Sequence, residues 1–303
     1  VIRVVKPGML STIQDRGRWG YQTFGVSVSG PMDMLSHGLA NRLLGNAEDA
    51  ATIEVTLLGP ELDFGSDATI VVTGAQFELR LDDREIDPLV THRITAGARL
   101  RFGPRRRGAR AYLGVAGGIQ VPTVLGSRAT HLVSGMGGLD GRALRPGDVL
   151  PISPTPPGDV RRVPRVPLPQ GAARVRVVPG PDAERFTAAA MTALTGTRYA
   201  ITPESDRMGY RLKGQALERC AASEIISGAT AIGSLQVPAS GQPILLMADR
   251  QTAGGYPRIA TVITADLPAA GQLAPGDTIE FQLCDQAEAV EALRRQQAWL
   301  NAT

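Results

Sequence analysis

Ala96-Gly97-Ala98-Arg99-Leu100-Arg101-Phe102 is a turn followed at once by a strand, and the same grammar returns at Pro275-Gly276-Asp277-Thr278-Ile279-Glu280-Phe281. In both stretches a glycine tightens the chain, and the residues after it alternate in the period of a half-buried strand. A third such turn, Arg145-Pro146-Gly147-Asp148-Val149-Leu150, closes the first half. Upstream lies a second echo, in the same order: Asp15-Arg16-Gly17-Arg18-Trp19-Gly20-Tyr21 against Asp206-Arg207-Met208-Gly209-Tyr210. The pairs are offset by roughly 180–190 residues, which predicts two diverged copies of one β unit with a difference in loop length.

Length and composition agree. A chain of 303 residues exceeds the usual size of one domain, and 35 glycines with 22 prolines are a heavy load of turns. Other strand-length pieces are Thr69–Thr73, Phe77–Leu81, Ala109–Val115, Arg174–Val178, Pro243–Met247, Ala260–Thr264 and Thr278–Leu283. Three segments read as helix. Met32–Leu44 carries Leu35, Leu39, Leu43 and Leu44 on one stripe and stops at Gly45-Asn46; Asp182–Thr195 follows Pro181 and stops at Gly196. Gln286–Leu300 would turn Ala287, Val290, Leu293 and Leu300 to the core. Between the halves, Ser153–Gln170 holds Pro154, Pro156, Pro157, Pro164, Pro167 and Pro169 and reads as an extended linker. The expected organisation is a β domain at 1–152, a proline-rich linker at 153–170, and a second β domain with a terminal helix at 171–303.

Charge and cysteine content remove several classes of function. The net charge is +3, and only Lys6 and Lys213 among the 32 basic residues are lysines. Basic clusters such as Arg105-Arg106-Arg107 and Arg161-Arg162 do not alternate with aromatics, so nucleic-acid binding is not expected. Cys220 and Cys284 form no C-x-x-C and read as ordinary thiols, at least one of them buried. No apolar run approaches the ~20 residues of a membrane span, and Val1-Ile2-Arg3 opens a strand rather than a signal peptide. A cytoplasmic location is expected.

The chain has no G-x-x-x-x-G-K-[ST], so no P-loop nucleotide site, and no G-x-S-x-G elbow. His37, His92 and His131 lack the spacing of a metal site, and none is expected. Neither lysine lies in a Met-Lys-Met hairpin, so no biotin is attached to this chain. What remains is polar residues packed among glycines, where backbone approaches a ligand and side chains project from turns. Gln14-Asp15-Arg16 is one such place and Asp206-Arg207 its echo. The third is Ala248-Asp249-Arg250-Gln251-Thr252-Ala253-Gly254-Gly255-Tyr256-Pro257, at the end of a buried-looking strand, which Gln236 could join from a neighbouring strand. The arginines offer a fork for an anion, the carboxamides hydrogen bonds, and the carboxylates a place to orient water.

Taken together, these motifs resemble one family. Ile13-Gln14-Asp15-Arg16-Gly17-Arg18, Ser29-Gly30-Pro31-Met32-Asp33, Ala40-Asn41 and Ile53-Glu54 match its N-terminal half. Tyr112–Ile119 and Val124–Arg128 match its middle, and Ser205–Leu212, Gly233–Pro238 and the Asp249–Pro257 loop its C-terminal half. The chain resembles the family of the 5-oxoprolinase C subunit and allophanate hydrolase subunit 2, also termed KipA-like and biotin-dependent carboxyltransferase-like. The resemblance implies a mainly β protein with a few helices and two cyclophilin-like β-barrels. It also implies a role in ATP-dependent hydrolysis of 5-oxo-L-proline to L-glutamate, active only with partner subunits. Those partners are a KipI-like B subunit (also termed subunit 1) and a LamB/YcsF-like A subunit, with ATP used by the complex. On that reading Asp249, Asp15 and Asp206 are the candidate catalytic carboxylates. Arg250, Gln251, Thr252, Tyr256, Gln236, Gln14, Arg16 and Arg207 are the candidate substrate contacts. A carboxyltransferase of the urea-amidolyase type, and a regulatory partner without catalysis, are the alternatives. Pro31 and Ala253 stand where Ala and Thr are more usual, which leaves substrate preference open more than fold.

Overall fold

The computed structural model describes residues 1–153, 160–163, 166–220 and 226–302. Of the linker prolines, Pro154, Pro156, Pro157 and Pro164 lie outside the described residues. The protein is mainly β, and its chain divides into two compact units, one of Val1–Arg18 with Ser29–Leu168 and one of Trp19–Val28 with Pro169–Thr303.

In the first unit the strands are β1 (Ile2–Lys6), β2 (Leu10–Gln14), β3 (Thr52–Thr56), β4 (Glu61–Phe64), β5 (Ala68–Leu81), β6 (Arg84–Ile86), β7 (His92–Ile94), β8 (Arg99–Val115) and β9 (Val149–Leu150), with α1 at Met34–Leu44. They form one curled sheet in the order β2-β3-β8-β4-β1-β9, with β5 paired to β6, β7 and β8. The segments Thr69–Thr73 and Phe77–Leu81 are thus two halves of one strand. Register shifts at Gly74/Gln76, Gln76/Phe77 and Phe77/Leu79 bend it against β8, as bulges do. Ile13, Ile53, Val55, Leu62, Phe64, Ile70, Val72, Leu100 and Leu113 fill the concave side and are inaccessible to water or nearly so. Helix α1 begins two residues after the expected start at Met32 because Asp33 caps it: the carboxylate accepts from Ser36 N at 2.9 Å and Ser36 Oγ at 2.6 Å. It ends, as read, at Gly45 in the left-handed region.

The second unit contains β10 (Ala172–Pro179), β11 (Arg198–Ile201), β12 (Gly209–Lys213), β13 (Gly228–Ala229), β14 (Ser234–Gln236), β15 (Ile244–Leu246), β16 (Ala253–Gly254), β17 (Arg258–Val262) and β18 (Thr278–Leu283). Its helices are α2 (Ala188–Gly196), α3 (Leu267–Gly271) and α4 (Gln286–Ala302). Among the described residues, seven of these strands close a barrel in the order β10-β17-β14-β15-β12-β11-β18, and β13 and β16 make a separate ribbon. Val175, Val177, Tyr199, Leu235, Leu245, Ala260 and Ile279 are fully buried. Helix α2 starts later than expected. Asp182 is drawn away to accept from Arg258 N and Nε at 3.0 and 2.8 Å, and Thr187 takes over as cap, accepting from Ala190 N at 3.1 Å. The expected inner face of α4 is corrected too. No described residue of this helix is fully buried, Ala287 is exposed, Val290 and Leu293 are about two-fifths exposed, and Ala289, Ala292, Gln296 and Trp299 are half-buried together with the expected Leu300. Cys220 is exposed and Cys284 half-buried, so neither thiol is a core residue.

The recurring turn is real in three dimensions. Gly97, Gly147 and Gly276 have φ of 91°, 89° and 93°. Each donates its N–H across to a neighbouring strand, to Phe64 O, Val4 O and Ile201 O at 2.7–2.9 Å, and the next residue's N–H bonds back three positions. A side chain at such φ is strained, so glycine fixes all three turns in the same shape.

Candidate functional site

In the second unit the segment after β15 zips onto the turn before β12. Met247 N donates to Met208 O at 2.9 Å and Asp249 N to Arg207 O at 2.8 Å. This backbone pairing sets Arg207 and Asp249 side by side. Their side chains, 5% and 3% exposed, form a bidentate pair with Nε–Oδ2 at 2.8 Å and Nη2–Oδ1 at 3.0 Å. Such forked geometry is strong and specific, and burial makes it costly to break on one side only. Asp206, one residue upstream and exposed, accepts from Met208 N at 2.8 Å and Gly209 N at 3.1 Å through Oδ1 and so holds the turn.

Arg250 differs from Arg207. It is 8% exposed, and among the described residues no carboxylate pairs with it. Its Nε donates to Thr230 O at 3.4 Å, and burial pulls its guanidinium below the usual range. A buried cation without a counter-ion is unfavourable by itself, and an incoming anion would relieve that cost. Ser27 Oγ donates to Arg250 O at 2.6 Å, so the short segment contributed from the N-terminal part of the chain holds this backbone. Thr230, just after β13, organises the rest: its N–H donates to Thr252 O at 2.9 Å and its hydroxyl to Gln251 O.

Gln236 is buried at the end of β14, where a register shift between Leu235 and Gln236 re-aims it relative to β17. Its Oε1 accepts from Gln251 Nε2 at 3.1 Å, and its Nε2 reaches Tyr256 O at 3.5 Å. Gly254 lies against this pair: a Cβ there would sit 2.5 Å from Gln236 Nε2 and 3.2 Å from Gln251 Nε2. Tyr256 is half exposed, and Thr252 takes part through its backbone.

In the first unit the Asp–Arg motif has a structural task. Asp15 accepts from Gly17 N at 2.9 Å, Ser127 Oγ at 2.6 Å and Arg128 N, fastening its loop to the 127–128 segment. Arg16 is exposed and pairs with Glu48. Gln14 is buried, donating to Thr12 Oγ1 at 3.0 Å and Thr130 O at 3.1 Å. Beneath them lies a buried polar network. His37 Nδ1 is 3.0 Å from Thr52 Oγ1, and burial pulls the imidazole down to about 4. Tyr112 donates to Glu54 at 2.8 Å, and Met32 N donates to the same carboxylate oxygen at 2.8 Å. Burial pushes the Tyr112 phenol well above its usual range, the Glu54 charge adding to it.

The structure therefore brings together Arg207, Asp249, Arg250, Gln251, Thr252, Tyr256 and Gln236 in the second unit, with Asp206 at its edge. It places Gln14, Asp15 and Arg16 in the first. Of the three arginines expected to clamp an anion, Arg16 and Arg207 already hold carboxylates. Of the three acids expected to position water, Asp15 and Asp249 are buried and committed to the protein's own donors, whereas Asp206 keeps Oδ2 outside any bond among the described residues. Thr230 and Ser27 were not legible in the sequence. Ser27 lies 223 positions from its partner, and Thr230 carries no motif.

The same outline recurs in known proteins. The family described as carboxyltransferase domain, subdomain A and B, matches residues 24–283. The chain is 40% identical over 299 residues to the 5-oxoprolinase C subunit of Escherichia coli, covering 99% of this chain and 96% of that one. It is 40% identical to the 5-oxoprolinase C subunit of Haemophilus influenzae, covering 96% and 94%. The crystal structure of the K. lactis urea amidolyase superposes with a TM-score of 0.93 at 30% identity, covering 99% of this chain but spanning only 20% of that one.

Proposed function

Because the chain belongs to the carboxyltransferase domain, subdomain A and B, family, we propose that it is the C subunit of a 5-oxoprolinase. In that role it acts with a KipI-like B subunit and a LamB/YcsF-like A subunit, and the complex couples ATP to the opening of 5-oxo-L-proline to L-glutamate. Relatives matched along nearly their whole length carry that name, which supports this reading above the urea-amidolyase one.

The single observation that carries it is Arg250, buried with no carboxylate paired to it among the described residues and next in the chain to one of two linked carboxamides. Amide resonance makes a lactam carbonyl a poor electrophile, and transfer of phosphate to its oxygen would convert that oxygen into a leaving group. The ATP is used by the complex, and this chain carries no P-loop. This chain's share is to hold the substrate carboxylate on Arg250 and its amide near Gln251. Asp206, whose Oδ2 has no bond among the described residues, is the carboxylate best placed to orient water. Arg250→Ala should lower kcat/KM of the reconstituted complex for 5-oxoproline at least ~100-fold, since a lost charge-assisted contact costs ~2–3 kcal/mol or more, with thermal unfolding preserved. Full activity in that variant would discard this loop as the site.

The urea-amidolyase relationship supports a second reading, in which carboxybiotin on another protein donates to an amide held here. Mixtures of the subunits would then consume bicarbonate only in the presence of biotinyl protein, and release no glutamate from 5-oxoproline.

A further inference from the structure

We infer that Gln251, oriented by Gln236, forms a fork that selects amides in the cis geometry, a reading that rests on the amide chemistry proposed above. Gln236 is 1% exposed and cannot turn towards solvent. The register shift between β14 and β17, which leaves Ile259 of β17 unpaired, aims it, and its Oε1 takes one hydrogen of the Gln251 amide at 3.1 Å. Gln236 Nε2 faces the Tyr256 carbonyl at 3.5 Å, which turns its Oε1 to Gln251 and so the nitrogen of Gln251 to Gln236. The backbone of Gln251 is fixed as well, by the Thr230 hydroxyl on its carbonyl. Yet Gln251 is only half-buried, and among the described residues its Oε1 accepts nothing. The side chain is held at one end and open at the other.

A primary carboxamide presents a C=O and an N–H along one edge. The complement of that edge is an amide whose own N–H and C=O lie on the same side. A five-membered lactam is forced into this arrangement by its ring, whereas an open-chain secondary amide strongly prefers the opposite one. A urea also presents it, since each of its nitrogens bears two hydrogens. One fork therefore fits a cyclic amide and a urea alike and rejects ordinary peptides. Arg250, next in the chain, adds the demand for a negative charge at the far end of the ligand. Gly254 keeps the neighbouring space free of side chain: a Cβ there would collide with the Gln236 nitrogen at 2.5 Å and crowd that of Gln251 at 3.2 Å.

The test is calorimetric binding to the complex reconstituted with its partner subunits, without ATP, together with a separate assay of glutamate release. Three ligands share one carboxylate: 5-oxoproline, N-methyl-5-oxoproline, which lacks the N–H, and N-acetylalanine, whose amide is open and trans. Wild type should bind the second and third ~10-fold or more weakly than the first, the value of a lost oriented hydrogen bond. Gln251→Ala should bring all three to within ~3-fold of one another, and Gln251→Glu, which keeps the bulk but loses the N–H donor, should weaken 5-oxoproline most. Equal binding of the three ligands by wild type, no binding of 5-oxoproline, or full selectivity in both variants would overturn the fork. Selective binding without glutamate release would instead overturn the 5-oxoprolinase reading and leave the fork standing.

Discussion

Arg207 and Arg250 are both buried, and the acid beside one of them decides what each is for. Arg207 is neutralised by Asp249, so its removal strands a buried carboxylate. Arg207→Met should lower stability by about 3–5 kcal/mol in urea unfolding, and adding Asp249→Leu should restore part of that loss. Equal stability of Arg207→Met and wild type would show the pair to be dispensable. Burial governs His37 in the same way: its imidazole is pulled from 6.5 down to about 4, against the opposing pull of Asp15 and Glu54. Above pH 6.5 the ring is neutral folded or unfolded. As pH falls towards 4, the unfolded chain takes up a proton that the folded one refuses, so stability falls across that window and levels below it. The loss between pH 7.5 and 4.5 is about 2–3 kcal/mol from this residue, and His37→Gln should remove it. Unfolding curves with the same pH slope in both proteins would refute the assignment. At this scale the sequence revealed the polar clusters but not their pairing. Asp249-Arg250 reads as an adjacent acid and base, whereas the acid's real partner is Arg207, 42 positions away.

Elements whose signals are local were legible. Helix α1 has both its cap and its terminal glycine within a residue or two of its apolar stripe, and the three glycine turns announce the strands that follow them. Elements whose geometry depends on distant contacts were not. The face of α4 is the clearest case: Val290 and Leu293 advertise a core stripe, yet the helix packs on the 264–266 turn and β10 through Ala289, Ala292 and Gln296, with Gln296 Nε2 donating to Ala265 O at 2.9 Å. Small side chains let the helix backbone approach, and that preference is invisible to hydrophobic periodicity. Val290→Glu and Leu293→Glu should each change stability by less than ~0.5 kcal/mol, while Ala292→Asp should cost more than ~1 kcal/mol. The reverse ranking in thermal unfolding would mean that the helix lies on its other face. The bulge that aims Gln236 is of the same kind, because register belongs to a pair of strands and not to either sequence.

For the whole molecule, the chain divides into two compact units that do not follow chain order alone. Trp19–Val28 belongs to the second unit, and with it Ser27, whose hydroxyl anchors the Arg250 carbonyl. A division by proline content or by echo could not have found this, since the excursion begins inside the very motif that suggested the duplication. The unit carrying the candidate site is therefore not encoded by residues 169–303 alone. Expressed as that fragment, it lacks the Trp19–Val28 segment, of which Ser27 and Val28 are each less than a tenth exposed in the full chain. The fragment should unfold at lower denaturant than the corresponding transition of the full protein, and amides 249–251 should lose hydrogen-exchange protection first, because their local hold is gone. Ser27→Ala in the full chain should reproduce the local effect at those amides while sparing the barrel strands, at a cost of ~1 kcal/mol for one hydrogen bond. A fragment as stable as the full chain, with unchanged protection at Arg250, would mean that the inserted segment merely lies on a unit already complete without it.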